Sequence, residues 1–419
     1  MKLLLVCVAF VALAGMCRAL SKEVNVHGRY RPQSAHGVSP MANITNYLGY
    51  MVFKNLPDKD KIVSPISVLE VLFMLYFGAA GSTKAELDKA FQFSRYGLLS
   101  EEKIVHEIAY EIHKWKHTKG EIMDLTRAYS SDMIFEDYLQ RLKTMFDGEA
   151  FQADFAKNSP AVTQEINKWI SEKTSGNINR FFKDNLDEYT KLVLISIITF
   201  KFNWKDQFLT SMSREGLFYN DGYEEAYAMY MYKDADVEIG FNEFAHSVTL
   251  RLPYENTDYD MYIIGPDGKV GERDATIDDV EQFLKQTKSY ESLLNTEKKP
   301  DDTIGVEVPR FVVSSEVNLK TILSQLGIQS LFSPDANLSG MSPAKLHVSS
   351  IKQAGYAKID EQGTEAGVVT AASATARMVP SRLPRTVTFN KPFLFLIRNN
   401  NLHLDLFLGK ISNVPKNDF

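Results

Sequence analysis

The chain mixes segments whose apolar residues recur at helical spacing with segments that are apolar almost without interruption. Ile104, Ile108, Ile112 and Trp115 lie three or four residues apart between Glu101 and Lys116, the spacing that puts apolar side chains on one face of a helix. Ser64-Pro65-Ile66-Ser67 opens an apolar stretch from Val68 to Phe77. Pro65 suits a first helical turn and Gly78 and Gly81 a helix end, which predicts a buried helix. Leu192 to Phe200 predicts a strand buried on both faces. Further strand-like runs occupy Asp260 to Ile264, Ile304 to Val313, Val387 to Phe389, Phe393 to Arg398 and His403 to Ile411. Helices dominate early and strands late, with no internal repeat and no Pro- or Ser-rich linker after Ala42. One large α+β domain over residues 42–419 is expected.

Met1 to Ala19 begins Met-Lys, continues as an apolar stretch through Ala14 and reaches Cys17-Arg18-Ala19, the pattern of a secretory signal peptide. Neither this core nor any later segment has the ~20 uninterrupted apolar residues of a transmembrane helix. The mature chain is therefore expected to be secreted and extracellular, with no transmembrane segment. Both cysteines, Cys7 and Cys17, fall inside the signal, so cleavage after Ala19 leaves no disulfide. A chain of 419 residues with 44% hydrophobic content buries a large core without one. Residues 20–41 are polar and punctuated by Gly28, Pro32, Gly37 and Pro40, as in a loose extension. The formal charge of −6 disfavours nucleic acid as a partner. Asn43-Ile44-Thr45 and Asn337-Leu338-Ser339 are acceptor sequons, candidate glycan sites in a secreted chain.

Between Ala366 and Ala376 nothing is charged and nothing is larger than valine. If extended, this segment puts Thr364, Ala366, Val368, Thr370, Ala372, Ala374 and Ala376 on one face, all small enough to slip beneath a close-packed layer. A flexible linker has the same composition. The hydrophobic strand pair that follows, Thr386 to Ile397, closes the chain back into its domain, so a linker here would join two parts of one fold.

With these residues in place, the sequence resembles the serpin family. Gly363-Thr364-Glu365-Ala366 matches the hinge of the family's reactive loop, and Phe389-Asn390-Lys391-Pro392-Phe393 matches its carboxy-terminal signature. Ser64-Pro65-Ile66-Ser67, Asn167-Lys168-Trp169, Thr174-Ser175-Gly176, Phe200-Lys201-Phe202-Asn203-Trp204, Leu252-Pro253-Tyr254 and Val308-Pro309-Arg310-Phe311 follow the family's order between Asn43 and Val414. The resemblance implies helices around a central β-sheet with further sheets, an exposed reactive loop at about 361–386, and an inhibitor rather than an enzyme. Counted from Gly363 as in inhibitory members, the fifteenth residue is Arg377, which puts the scissile bond at Arg377–Met378. Arg382 and Arg385 compete with it.

Arginine before the bond implies a trypsin-like serine protease as partner, trapped as a covalent acyl-enzyme when the cut loop inserts into the sheet. The family's sheet-opening region falls on Ser64, Ser67, Ser196, Gln353 and Trp204. Inhibitory members usually carry asparagine and histidine where Ser196 and Gln353 stand, and glutamine does not titrate. A monomer that requires no cofactor is implied. The chain is also similar in general form to serpins of blood-feeding arthropods, including the salivary anticoagulant type. Factor Xa and thrombin are therefore possible targets, beside proteases of invertebrate immune cascades. Non-inhibitory serpins, carriers or folding helpers, tend to lose the small-residue run that this chain keeps.

His113-Lys114-Trp115-Lys116-His117-Thr118-Lys119 is a basic cluster at a helix end. By resemblance to the heparin-binding surface of some serpins, Lys114, Lys116 and Lys119 are candidate contacts for a heparin-like glycosaminoglycan, although the helix dipole alone favours cations there. His106-Glu107-Ile108-Ala109-Tyr110 lacks the second histidine of a zinc-protease helix, so no metal site is expected. No nucleophile elbow or phosphate-binding glycine loop occurs.

Overall fold

The first helix, α1 (Pro40–Phe53), starts where the Ser39 hydroxyl accepts a hydrogen bond from the Ala42 amide. Among the described residues this is the first helix, and it starts two residues ahead of residue 42. The computed structural model describes residues 37–57, 60–118, 122–234, 236–300, 304–364 and 385–414, and the chain from Val38 onward forms one unit. The expected signal peptide and nearly all of the extension lie outside the described residues.

After β1 (Lys61–Val63) comes α2 (Pro65–Gly78), capped by Ser64 and buried along almost its whole length because it is apolar on every side. Next are α3 (Gly81–Phe91) and α4, which is α-helical over Glu101–Ile104, π-helical over Val105–Ala109 and α-helical again over Tyr110–Thr118. Ile104, Ile108, Ile112 and Trp115 are buried, as their spacing predicts. Then follow β2 (Met123–Ser130), α5 (Glu136–Phe146), β3 (Glu149–Gln152), α6 (Phe155–Lys173), β4 (Leu192–Thr199) and β5 (Phe202–Asn203). The later half contributes β6 (Arg214–Asn220), β7 (Glu224–Lys233), β8 (Glu238–Asn242), β9 (Ser247–Pro253), β10 (Tyr259–Pro266), β11 (Lys269–Val270), β12 (Arg273–Asp274) and α7 (Ile277–Thr287). It continues through β13 (Glu297–Lys298), β14 (Ile304–Pro309), β15 (Phe311–Asn318), α8 (Leu319–Gln325), β16 (Val348–Ile359), β17 (Gly363–Thr364), β18 (Arg385–Thr388), β19 (Phe393–Asn399) and β20 (Leu404–Ile411).

Three sheets carry the α+β fold. One runs β1-β20-β19-β10-β9-β8-β13 and a second, four-stranded, β18-β14-β7-β6. The third runs β3-β2-β4-β16-β17-β5, with β15 also paired to β16. The apolar run Ile304 to Val313, expected as one strand, divides at Pro309-Arg310. β14 pairs with β7 and β18, whereas β15 pairs with β16 in another sheet. Pro309 still stands opposite Tyr230 of β7 and the Arg310 amide continues to the Met229 carbonyl, so the change of sheet falls after Arg310.

β4 separates two apolar layers. Leu192, Leu194 and Ile198 face the main core with α2, while Val193, Ile195 and Ile197 pack with Ile166, Trp169 and Ile170 of α6. Among the described residues no helix is long and apolar enough to cross a membrane.

Candidate functional site

The third sheet has a seam. β4 and β16 pair in parallel from Val348↔Leu192 to Gly355↔Ile198. Beyond that point β17 lies between β16 and β5 and is antiparallel to both, with Thr364 opposite Ile359 and Phe202. A Cβ on Gly363 would come within 2.1 Å of the Phe202 carbonyl oxygen, so only glycine fits this close approach. Thr364 is fully buried, and its hydroxyl is hydrogen-bonded to that of Tyr254 at 2.7 Å.

A turn at Asp360 sets β17 in place. The Asp360 carboxylate accepts from the amides of Gln362 and Gly363, at 2.9 and 3.3 Å. Trp204 stacks on Tyr254 with 4.6 Å between ring centroids and donates through Nε1 to the Asp360 carbonyl at 2.9 Å. Glu361 is gripped by Arg310, whose Nε lies 2.9 Å from Oε2 and whose second nitrogen lies 2.6 Å from Oε1. Burial would raise the Glu361 carboxyl, but Arg310 and Ser213 outweigh it and hold the group below the usual glutamate range.

Lower in the seam, Gln353 of β16 stands beside Ser196 of β4. Its amide oxygen accepts from the Ser64 amide at 2.7 Å and its amide nitrogen donates to the Ser64 carbonyl at 3.0 Å. The Ser67 hydroxyl lies 3.2 Å from that of Ser64 and donates to Asp124 Oδ1 at 2.9 Å. Asp124 and Glu70 flank Lys116, with 2.9 and 3.0 Å between charged atoms and all three side chains buried. Burial raises the Glu70 carboxyl far above its ordinary value, Asp124 adds to this, and Lys116 opposes it. Burial would lower the Lys116 ammonium, but the two carboxylates outweigh it and raise the group. The hydroxyls of Ser196 and of its neighbour Thr126 find no hydrogen-bond partner among the described residues.

The residues expected to form one sheet-opening region thus fall into two clusters. Ser64, Ser67, Ser196 and Gln353 share the lower seam, while Trp204 stands at the top beside the hinge. Glu365, Ala366, Arg377 and Met378 lie outside the described residues, as does Lys119. Lys114 is exposed, but Lys116 is not the surface cation expected: it is committed to Asp124 and Glu70 inside the protein. Asn337 and Ser339 are exposed. Asn43 is half-buried in α1, where its amide donates to the Ser39 carbonyl, and Thr45 of its sequon is fully buried.

Sequence reasoning gave no role to Glu70, Asp124, Arg310, Asp360 or Glu361. Two signals were available. Glu70 is the lone charge in the apolar stretch from Val68 to Phe77, and Lys116 follows Ile112 by four residues, which puts it on the buried face of α4.

Comparison with known proteins agrees with this geometry. The family model described as Serpin (serine protease inhibitor) matches residues 43–414. Iripin-8 of Ixodes ricinus is 29% identical over 384 residues, 89% of this chain and 93% of that protein. Human leukocyte elastase inhibitor is 29% identical over 379 residues, 86% of this chain and 94% of that protein. Among solved structures, mouse protein-Z dependent protease inhibitor superposes with a TM-score of 0.73 at 25% identity, covering 90% of this chain and 97% of that one. Human thyroxine-binding globulin shares the fold with a TM-score of 0.76 at 24% identity, covering 90% of this chain and 100% of that one. A family match over nearly the whole folded chain, together with the hinge strand set above a parallel seam, identifies the protein as a member of the serpin family of serine protease inhibitors, not an enzyme.

Proposed function

We propose that the chain is a secreted inhibitor that traps a trypsin-like, arginine-specific serine protease as a covalent acyl-enzyme, with Arg377–Met378 as the bond attacked. The observation that carries this reading is β17, two hinge residues seated antiparallel to both β16 and β5 at the top of a closed parallel pair. The protease serine attacks the Arg377 carbonyl, the amine of Met378 leaves, and an ester joins protease to Arg377. The freed arm then extends β17 downward and parts β4 from β16. Continuing the register from Thr364 sets residue 370 between Gln353 and Ser196. It sets residue 374 opposite Ser349 and Leu192, at the far end of both strands.

Arg377 and its ester are carried across the sheet in this movement. Alternate residues from Ala366 to Ala374 take the core-facing side that Thr364 already occupies, where their small size is required. A ladder gaining ~1 kcal/mol per hydrogen bond over about ten residues yields on the order of 10 kcal/mol, comparable with the ~5–15 kcal/mol that holds a domain folded. That suffices to distort the attached protease. Each displaced oxyanion donor slows deacylation about 100- to 1000-fold, so the complex persists for kinetic reasons.

Arg377 favours a protease with an acidic specificity pocket. Kinship with iripins of Ixodes ricinus accords with the arthropod resemblance, so coagulation proteases such as factor Xa or thrombin are the first targets to try, beside immune-cascade proteases. Asn337 is the better placed sequon for a glycan, and Lys114 with Lys119 would contact a heparin-like polyanion. The test incubates the protein with trypsin, thrombin and factor Xa, followed by denaturing gels and sequencing of the released fragment. A gel-stable complex with a fragment beginning at Met378 is the expected result. Cleavage by every protease without a stable complex sinks the trapping mechanism.

A further inference from the structure

Both sides of the seam are fastened to α2, by different chemistry. On one side Gln353 of β16 bonds the main chain of Ser64, at the α2 cap. On the other, Asp124 of β2 accepts from Ser67 of α2, and Lys116 of α4 reaches Glu70 of α2. β2 is paired along its 8 residues with β4, and the short link from Thr118 to Met123 joins it to the last turn of α4. Lys116 and Asp124, 2.9 Å apart, therefore belong to the body that contains β4. β16 is paired over the 8 residues of β15 and tied to α2. Parting β4 from β16 separates these two bodies. Among the described residues, the links that cross between them through charged side chains at mid-seam are Asp124–Ser67 and Lys116–Glu70; neutral links lie at the far end of the seam, from the Lys191 amide to the Ser349 hydroxyl, and from the Tyr138 hydroxyl to the Met74 carbonyl of α2.

We propose that Asp124, Lys116 and Glu70 form an ionic latch that must come apart for the seam to open, making them positioning residues that set the rate of loop insertion. The inference rests on the insertion reading above. The Ser67 hydroxyl makes a charge-assisted hydrogen bond to Asp124, roughly twice as strong as a neutral one, and the Lys116–Glu70 ion pair lies where water does not screen it. Pulling a buried ion from one of its partners leaves charge uncompensated until the partner is replaced. The latch therefore adds to the barrier for opening, whereas the neutral Gln353 link travels unbroken with α2.

The test uses the full chain and a synthetic peptide with the sequence of residues 364–376, whose uptake into the seam needs no protease. Asp124→Asn keeps an acceptor for Ser67 and leaves Lys116 paired with Glu70; uptake is expected to accelerate about tenfold. Glu70→Gln leaves Lys116 paired with Asp124 and is expected to accelerate it about threefold, which keeps the proposal testable if Asp124→Asn does not fold. Ile263→Val, in β10 away from the seam, controls for general loss of stability. With a target protease, both latch variants should send a larger fraction of cleavage events into stable complex. The rate of acylation, governed by recognition of Arg377, should stay within about twofold.

Equal uptake by the wild type and both latch variants overturns the latch. So does acceleration no greater than that of Ile263→Val at the same drop in Tm. No uptake by any variant overturns the insertion reading and the latch with it. Uptake without trapping of any protease overturns the inhibitor reading alone, and the ratio of uptake rates still decides the latch.

Discussion

In the sheet from β1 to β13 every pair of neighbours is antiparallel, and its inner strands β19 and β20 are buried at every residue. In the sheet around the seam the two inner strands run parallel, and polar residues interrupt the apolar layer: Ser196 and Gln353 at the seam, Thr126 beside it. A buried hydroxyl without a partner costs roughly 1–3 kcal/mol. The first sheet also buries polar groups, Arg398, Asp405 and Lys410 among them, but its neighbouring strands are antiparallel throughout. The second has two strands in an orientation that an antiparallel strand can part and pair with on both edges, and hydroxyls that remain unsatisfied while it is closed. The two sheets thus differ in strand direction at their centre, and on the insertion reading the parallel pair is where a strand would enter.

Substitutions should separate the two behaviours. The largest effect is expected at the hinge: Thr364→Arg puts a guanidinium at a fully buried position beside Tyr254, and burying an unpaired charge is prohibitive. Stable complex with protease should fall at least about 100-fold on denaturing gels while the loop is still cleaved, and persistent trapping would refute the role of β17. Phe395→Ala in the first sheet removes a buried ring packed 5.5 Å from Phe311. It should cost ~3–5 kcal/mol by urea unfolding without changing the ratio of trapped to cleaved protease. A changed ratio would show that the two sheets are not separable in this way.

The first sheet should also respond to pH. Burial pushes the Asp405 carboxyl up to about 6, against the pull of Arg398. The folded state therefore binds this proton more tightly than the unfolded chain. The corresponding stability is fully present below the ordinary aspartate range and is lost as pH rises through about 6, with a slope of at most about 1.4 kcal/mol per pH unit. Asp405→Asn should flatten that decline in unfolding free energy between about pH 4 and 6; an identical slope in the variant would assign it elsewhere. The smallest effect is expected at the seam: Ser196→Ala removes an unpartnered hydroxyl and should stabilise the closed sheet by about 1 kcal/mol, slowing peptide uptake a few-fold. Faster uptake would mean that the hydroxyl stabilises the closed form.

Much of this was legible in the chain. An apolar stretch with Pro65 and Gly78 at its ends located α2, periodicity located the buried face of α4, apolar runs located β4, β19 and β20, and residue size marked the segment after Gly363. The sequence was misleading where one-dimensional neighbours diverge in space. Ile304 to Val313 reads as one strand but serves two sheets, pairing with β7 up to Pro309 and with β16 from Phe311 onward. Lys116 reads as part of a basic surface cluster because Lys114 and Lys119 flank it, yet helical geometry turns it inward.

Sequence alone determined the family, the α+β class and the small-residue composition of the segment after Gly363, since each depends on residue type, spacing or order. Only the tertiary structure decided that β4 and β16 meet in parallel, that Thr364 already sits in the sheet, and that Lys116 joins Asp124 to Glu70 while Asp124 accepts from Ser67. Strand direction and the meeting of distant side chains follow from how the whole chain packs around α2, and no local pattern encodes a contact between residues so far apart.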